Sequence, residues 1–185
     1  MIDELIRIIS YLTFGIYVFA IASGILICLS VIFNFGKLAD RNQSVQAEHS
    51  IEHSITRFIF GLMLIGVNFI AMYTLATLGA DDQYIVDPYS ALGYMNRTAP
   101  SSDELKLTLF VLTISRCIGG WGLVSGLKHG QHCAHPQEQV RQSARLRVGW
   151  GLFCGAVFIF PEFWMMIAEN YYPNAAYFSN LFKSL

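Results

Sequence analysis

Two ionisable residues interrupt otherwise apolar stretches of this 185-residue chain: Arg116, within residues 107–127, and Glu162, within residues 148–168. A lone charge in an apolar medium is costly, so these types point either to a mutual ion pair or to a polar point on a transport path. A second group contains all five histidines. His49 and His53 stand four apart, and His129, His132, Cys133 and His135 form the run H-x-x-H-C-x-H. Imidazole nitrogen and thiolate sulfur are ligands for a borderline divalent metal, and the six residues could meet around one. Their spacing matches no zinc pattern strongly, and histidines at a polar interface need no ligand, so neither a metal nor another cofactor is expected. Absence of histidine from the apolar stretches excludes haem held between such helices. There is no G-x-x-x-x-G-K-[ST], G-x-S-x-G or H-E-x-x-H pattern, nor a carboxylate pair in one apolar run, so no enzymatic activity is expected.

The elements that position these residues follow from composition. Hydrophobic residues make up 54% of the chain and charged residues 14%, and the apolar ones are gathered into runs. No charge occurs in residues 8–36 or 58–80, and each run exceeds the roughly 20 residues that cross a ~30 Å hydrocarbon core. Residues 107–127 and 148–168 carry one charge each and still read as spans, because leaving a whole run in water costs more than placing one ionisable group in lipid. The expected fold is an all-α membrane protein of four transmembrane helices, arranged as two helical hairpins with cytoplasmic turns and an outer loop over residues 81–106. Asp3 and Glu4 stand where a cleavable signal would carry positive charge, so the first run is expected to remain as a span.

Lys and Arg set the orientation. Residues 37–57 hold three and residues 128–147 hold four, against one, two and one in the other connections and ends. The positive-inside rule places the two richer segments in the cytoplasm and both termini outside. Gly36 and residues 37–40 mark the first reversal, and a single helix is expected over residues 42–78 with its polar part, 44–57, in the cytoplasm. Asp87-Pro88 and the stretch 96–100 give the outer loop its turns, and Ser101 with Glu104 forms a capping box that opens the third helix. Tyr84, Tyr89, Tyr94, Tyr171, Tyr172 and Tyr177 fall on the outer side as an aromatic belt or a partner surface. The four cysteines are expected as free thiols. Lys128, Arg141, Arg145 and Arg147 form a basic turn suited to anionic lipid headgroups.

Arg116 lies 12 residues before Lys128 and Glu162 lies 15 after Arg147, so in a hairpin their depths differ by only ~4–5 Å. Arg116, Gly119, Gly120 and Leu123 share a stripe of the third helix, and Gly151, Gly155, Phe158 and Glu162 one of the fourth. Gly122-xxx-Gly126 and Gly151-xxx-Gly155 add small residues that let helices approach closely, and Pro161 predicts a kink beside Glu162. An intramembrane Arg116–Glu162 pair is the expectation.

Residues 114–156, ISRCIGGWGLVSGLKHGQHCAHPQEQVRQSARLRVGWGLFCGA, resemble the IcmC/DotE-like inner-membrane proteins of type IVB secretion systems and their TraQ-like conjugation relatives. The shared order is an Arg- and Gly-bearing helix, a basic turn with proline, and a glycine-rich helix. This resemblance implies a multi-pass protein of the bacterial inner membrane with both termini periplasmic. It implies a non-enzymatic assembly component of a type IV conjugation or secretion apparatus, touching lipid and other components, homo- or hetero-oligomeric, not binding nucleic acid directly, and open to a pilin-like polymerising role. A small transporter or channel using Arg116 and Glu162 is the rival. In cells, a cysteine placed at position 90 is expected to react with an impermeant thiol reagent from outside, whereas Cys133 reacts only after permeabilisation; the reverse pattern inverts the map.

Overall fold

A computed structural model describes residues 2–40, 45–67, 69–70, 73 and 103–172. Among them lie five α-helices and no strand: α1 Ile2–Asp40, α2 Val45–Ile65, α3 Asp103–Gly130, α4 Glu138–Ile159 and α5 Pro161–Tyr171. Helix is what an apolar chain adopts in lipid, because no water is present to satisfy backbone N–H and C=O groups left open. The side-chain hydroxyls obey the same constraint. Ser10 Oγ donates to the Ile6 carbonyl at 2.8 Å, Thr13 Oγ1 to that of Ile9 at 2.8 Å, and Thr113 Oγ1 to that of Leu109 at 2.7 Å. Each folds back onto its own helix and presents hydrocarbon outward. Asp3 and Glu4 sit in the first turn of α1, and Lys128 and His129 in the last turn of α3, matching the signs of the helix dipoles.

Large apolar side chains face outward along these helices. Leu26 is 67% exposed, Phe33 70% and Trp150 66%, while Tyr17, Ala20, Val31, Leu64 and Leu127 are buried. Continuous outward apolar faces of this kind suit a hydrocarbon solvent. By length and composition Ile2–Gly36 and Leu105–Gly130 can each cross a membrane, and α4 with α5 can do so only as a pair bent by 76°. The described residues therefore hold two spans, or three with the bent pair, in place of the four expected.

Two causes account for the difference. The fourth run is broken at Pro161, which has no N–H to continue the hydrogen-bond ladder. The second run enters α2 at Phe58, but residues 68, 71–72 and 74–80 lie outside the described residues, as do most of the expected outer loop, with Tyr84, Tyr89, Tyr94 and Ser101, and Tyr177. One boundary is corrected. α1 continues through Gly36 to Asp40, since Gly36 has open space around it and no left-handed backbone, and a lone glycine costs a helix only about 1 kcal/mol. Residues 41–44 lie outside the described residues.

The helices contribute to two compact units, one drawn from residues 1–16, 68–121 and 154–185, the other from 17–67 and 122–153. In the second unit glycines stand at close approaches between helices among the described residues. A Cβ on Gly24 would stand 2.7 Å from the Gly61 carbonyl oxygen, and one on Gly61 would stand 2.7 Å from Cys28 Sγ, so α1 and α2 meet nearly backbone to backbone. α3 and α4 do the same where a Cβ on Gly126 would lie 2.8 Å from the Gly151 Cα and one on Gly151 would lie 2.7 Å from the Gly122 oxygen. Gly130 at the end of α3 leaves room for the Phe60 ring. Gly149, two residues from Gly151, meets nothing within 4 Å. Gly151→Ala is therefore expected to destabilise the purified protein by about 1–3 kcal/mol through overpacking. Gly149→Ala should leave it unchanged or raise its stability by up to about 1 kcal/mol. Thermal melting in detergent of the two variants against the parent measures the contrast.

Candidate functional site

The break between α4 and α5 creates the most polar arrangement within the apolar helices. Pro161 occupies the first turn of α5, so Phe160 leaves the helical conformation with φ −126° and ψ 60°. A helix end in an apolar setting strands its last carbonyls unless side chains reach them. Two are reached. Trp164 Nε1 turns back to donate to the Ala156 carbonyl at 3.0 Å, and Ser115 Oγ of α3 donates to the Phe158 carbonyl at 3.0 Å. At the far end the Tyr172 N–H donates to the Ala168 carbonyl at 2.8 Å.

The same break brings Glu162 onto α3. In the first turn of α5 its carboxylate lies at the positive end of the helix dipole, and Arg116 Nη2 donates to its Oε1. Both side chains are largely enclosed, Arg116 at 11% exposure and Glu162 at 19%. A charge-assisted bond in a poorly solvated setting is stronger than its counterpart in water, and breaking it strands the surviving partner. Gly119, one turn from Arg116, admits the contact: a Cβ there would stand 2.6 Å from the Ile159 nitrogen. Phe160 and Phe163 are buried on either side of Glu162, and the Phe163 and Trp164 rings meet edge-on at 5.4 Å.

The other residues expected from sequence divide into two sets. Gly120 and Gly155 are buried, and Gly122, Gly126 and Gly151 form the α3–α4 approach already described. Of the basic residues proposed for lipid headgroups, Lys128 Nζ lies 5.0 Å over the Phe19 ring, Arg141 pairs with Glu138 at 3.3 Å, and Arg145 is exposed. Arg147 is engaged differently, with Nη1 2.8 Å from His129 Nε2.

Of the possible metal ligands, His53, His132 and His135 come together with ring centroids 5.5–6.4 Å apart. His129 is held to Ser125 and Arg147. His49 lies in α2, but its side chain is outside the described residues. Cys133 is a free thiol in the turn after α3, pushed up from the ordinary thiol value by burial and drawn back by Arg145. Among the described residues no three His, Cys, Asp or Glu donors are arranged to hold a metal ion. All four cysteines are free.

Sequence reasoning had not singled out Ser115, Trp164, Gly24 or Gly61. Ser115 carried a signal in being a hydroxyl beside Arg116 in an apolar helix, and Gly24 and Gly61 in being small residues in facing runs. Trp164 carried none, because its partner is a carbonyl freed only by the break. No protein-family model, curated protein or solved structure matches the chain.

Arg116→Ala and Glu162→Ala are each expected to lower the level of folded membrane protein several-fold, consistent with the roughly 3–5 kcal/mol lost when one partner of a buried pair is removed. The exchange Arg116→Glu with Glu162→Arg should recover only part of that level, since arginine in the first turn of α5 opposes the helix dipole. Quantitative blotting of membrane fractions and detergent size exclusion measure both effects. Normal levels in both single variants would remove the structural role.

Proposed function

We propose that the chain is a non-catalytic, multi-pass component of the bacterial inner membrane that assembles into a type IV conjugation or secretion apparatus resembling the IVB class. Its four-helix layout, with residues 58–80 as the second span and the bent α4–α5 pair as the fourth, and its periplasmic termini belong to this proposal. The observation that carries it is the largely enclosed ion pair of Arg116 and Glu162. A charge pair joining two helices beside glycine-mediated contacts serves helix packing, and the outward aromatic residues Trp121, Trp150 and Phe153 offer apolar surface to lipid or to neighbouring subunits. The sequence pattern of residues 114–156 supplies the class of assembly.

A transporter or channel is favoured by one feature, the 76° break with a carboxylate in the first turn beyond it. Discontinuous helices in transporters use their ends to hold ions and substrates. The readings part on companions. Purified in mild detergent from its own host, the tagged chain is expected to emerge in a multi-subunit complex with other membrane proteins of one transfer apparatus, and its deletion to abolish DNA or protein transfer. Recovery as a companion-free species, with transfer intact in the deletion strain, would sink the assembly reading.

A further inference from the structure

We infer that His53, His129, His132 and His135 form a clasp that holds the polar end of α2 against the turn joining α3 to α4 and that acid releases as His53 and His132 take up protons.

Hydrogen-bond polarity fixes the neutral state of two rings without reference to titration. Arg147 Nη1 stands 2.8 Å from His129 Nε2, and a guanidinium can only donate, so Nε2 must offer its lone pair. His129 Nδ1 then carries the proton and donates to the Ser125 carbonyl at 2.8 Å, which can only accept. Both nitrogens are thereby used, and the ring is a neutral tautomer. His135 is fixed in the same way: the Gln137 backbone N–H donates to its Nδ1 at 3.2 Å, which leaves the hydrogen on Nε2. Adding a proton to His129 would set an imidazolium against Arg147, and adding one at His135 Nδ1 would break the bond from Gln137.

The other two rings are held neutral by their surroundings. His53 of α2 packs on His132 at 6.4 Å and edge-on to His135 at 5.5 Å, and the Nδ1 atoms of His53 and His132 are buried with no hydrogen-bond partner among the described residues. Burial, then Arg57, His135 and His132 hold His53 below the ordinary imidazole value of 6.5; burial, then His135, Arg57 and His129 do the same for His132. Among the described residues, every charged group that acts on the two rings is positive. The carboxylates nearest in sequence lie elsewhere: Glu52 is exposed and Glu138 pairs with Arg141. Arg57 from α2, His129 from α3, His132 and His135 from the turn, and Arg147 from α4 therefore surround the contact with groups that oppose a further proton.

The sign follows. A histidine whose folded value lies below its unfolded one takes up protons more readily when its contact opens, so the clasp is intact above about pH 6.5 and weakens as pH falls through the lowered folded values. A metal is disfavoured by the same bonds, since His129 has no free nitrogen and a ligating His135 Nε2 would have to lose its hydrogen while Nδ1 still accepts from Gln137. Rings sharing one tetrahedral ion with nitrogens ~2.1 Å from it would stand roughly 5.4 Å apart, a spacing that His53 and His135 match at 5.5 Å but that the His132–His135 and His53–His132 pairs exceed at 6.1 and 6.4 Å.

The test is amide hydrogen exchange on the full chain in lipid nanodiscs, corrected for the intrinsic pH dependence of exchange, over residues 51–57 and 130–137. Protection is expected to fall by about tenfold between about pH 7.5 and about pH 5.5, with a midpoint below 6.5. Replacing His53, His132 and His135 with glutamine, which keeps a hydrogen-bond acceptor but takes up no proton, should flatten the response. Should that variant fail to fold, Arg57→Gln serves alone, because removing this charge should move the midpoint up towards 6.5. A pH-independent parent, an unchanged response in the glutamine variant or an unmoved midpoint in Arg57→Gln each overturns the clasp. So does protection that requires stoichiometric zinc and is lost in chelator, which would make the rings ligands.

Discussion

The break at Phe160–Pro161 is the constraint on which the first unit turns. A helix interrupted in an apolar medium exposes carbonyls that water cannot solvate, and the break is tolerable because neighbouring side chains occupy them. Trp164 serves Ala156 and Ser115 serves Phe158. The turn that frees these groups also delivers Glu162 to Arg116 with its carboxylate at the start of a new helix. Proline, indole, hydroxyl and ion pair therefore form one arrangement. Glycine at position 119 is what allows the backbone of α3 to come near enough for it to close.

The second unit solves a different problem with similar means. Its helices meet through Gly24 with Gly61 and through Gly122 and Gly126 with Gly151, contacts in which dispersion between backbones replaces the solvent-driven association of soluble proteins. Beyond these contacts lies a polar end rich in histidine and arginine, where aqueous rules of charge and proton return. Lipid-type packing and a titratable contact thus share one compact unit.

Much of this was legible from residue order. The apolar runs forecast α1 and α3 because sustained apolar length, even with the single charge of Arg116 in α3, is itself the physical requirement for crossing hydrocarbon. Arg116 and Glu162 could be matched because similar depth and glycine-bearing stripes on two neighbouring helices follow from helix geometry. The size of the bend was not legible. Proline announces a lost hydrogen bond, but whether a helix kinks slightly or turns by 76° depends on whether Trp164 and Ser115 can reach the freed carbonyls, a matter of three-dimensional proximity. The histidine contact was half legible: residue type and side suggested a meeting, whereas the donor roles of Arg147 and Gln137, which set the proton count, became clear only with the bonds in view.

α1 carries a consequence of its length. Its candidate span, Ile2–Gly36, has 35 residues, about 52 Å of helix at 1.5 Å per residue, against a hydrocarbon layer of roughly 30 Å. The surplus must be absorbed by tilt, by local thickening of the bilayer, or by laying the opening turns along the headgroups, and the first two carry an elastic penalty that grows with each ångström of mismatch. Bilayer thickness thus becomes a variable to which this protein responds: a thicker membrane lets α1 stand more upright, and a thinner one leans it over.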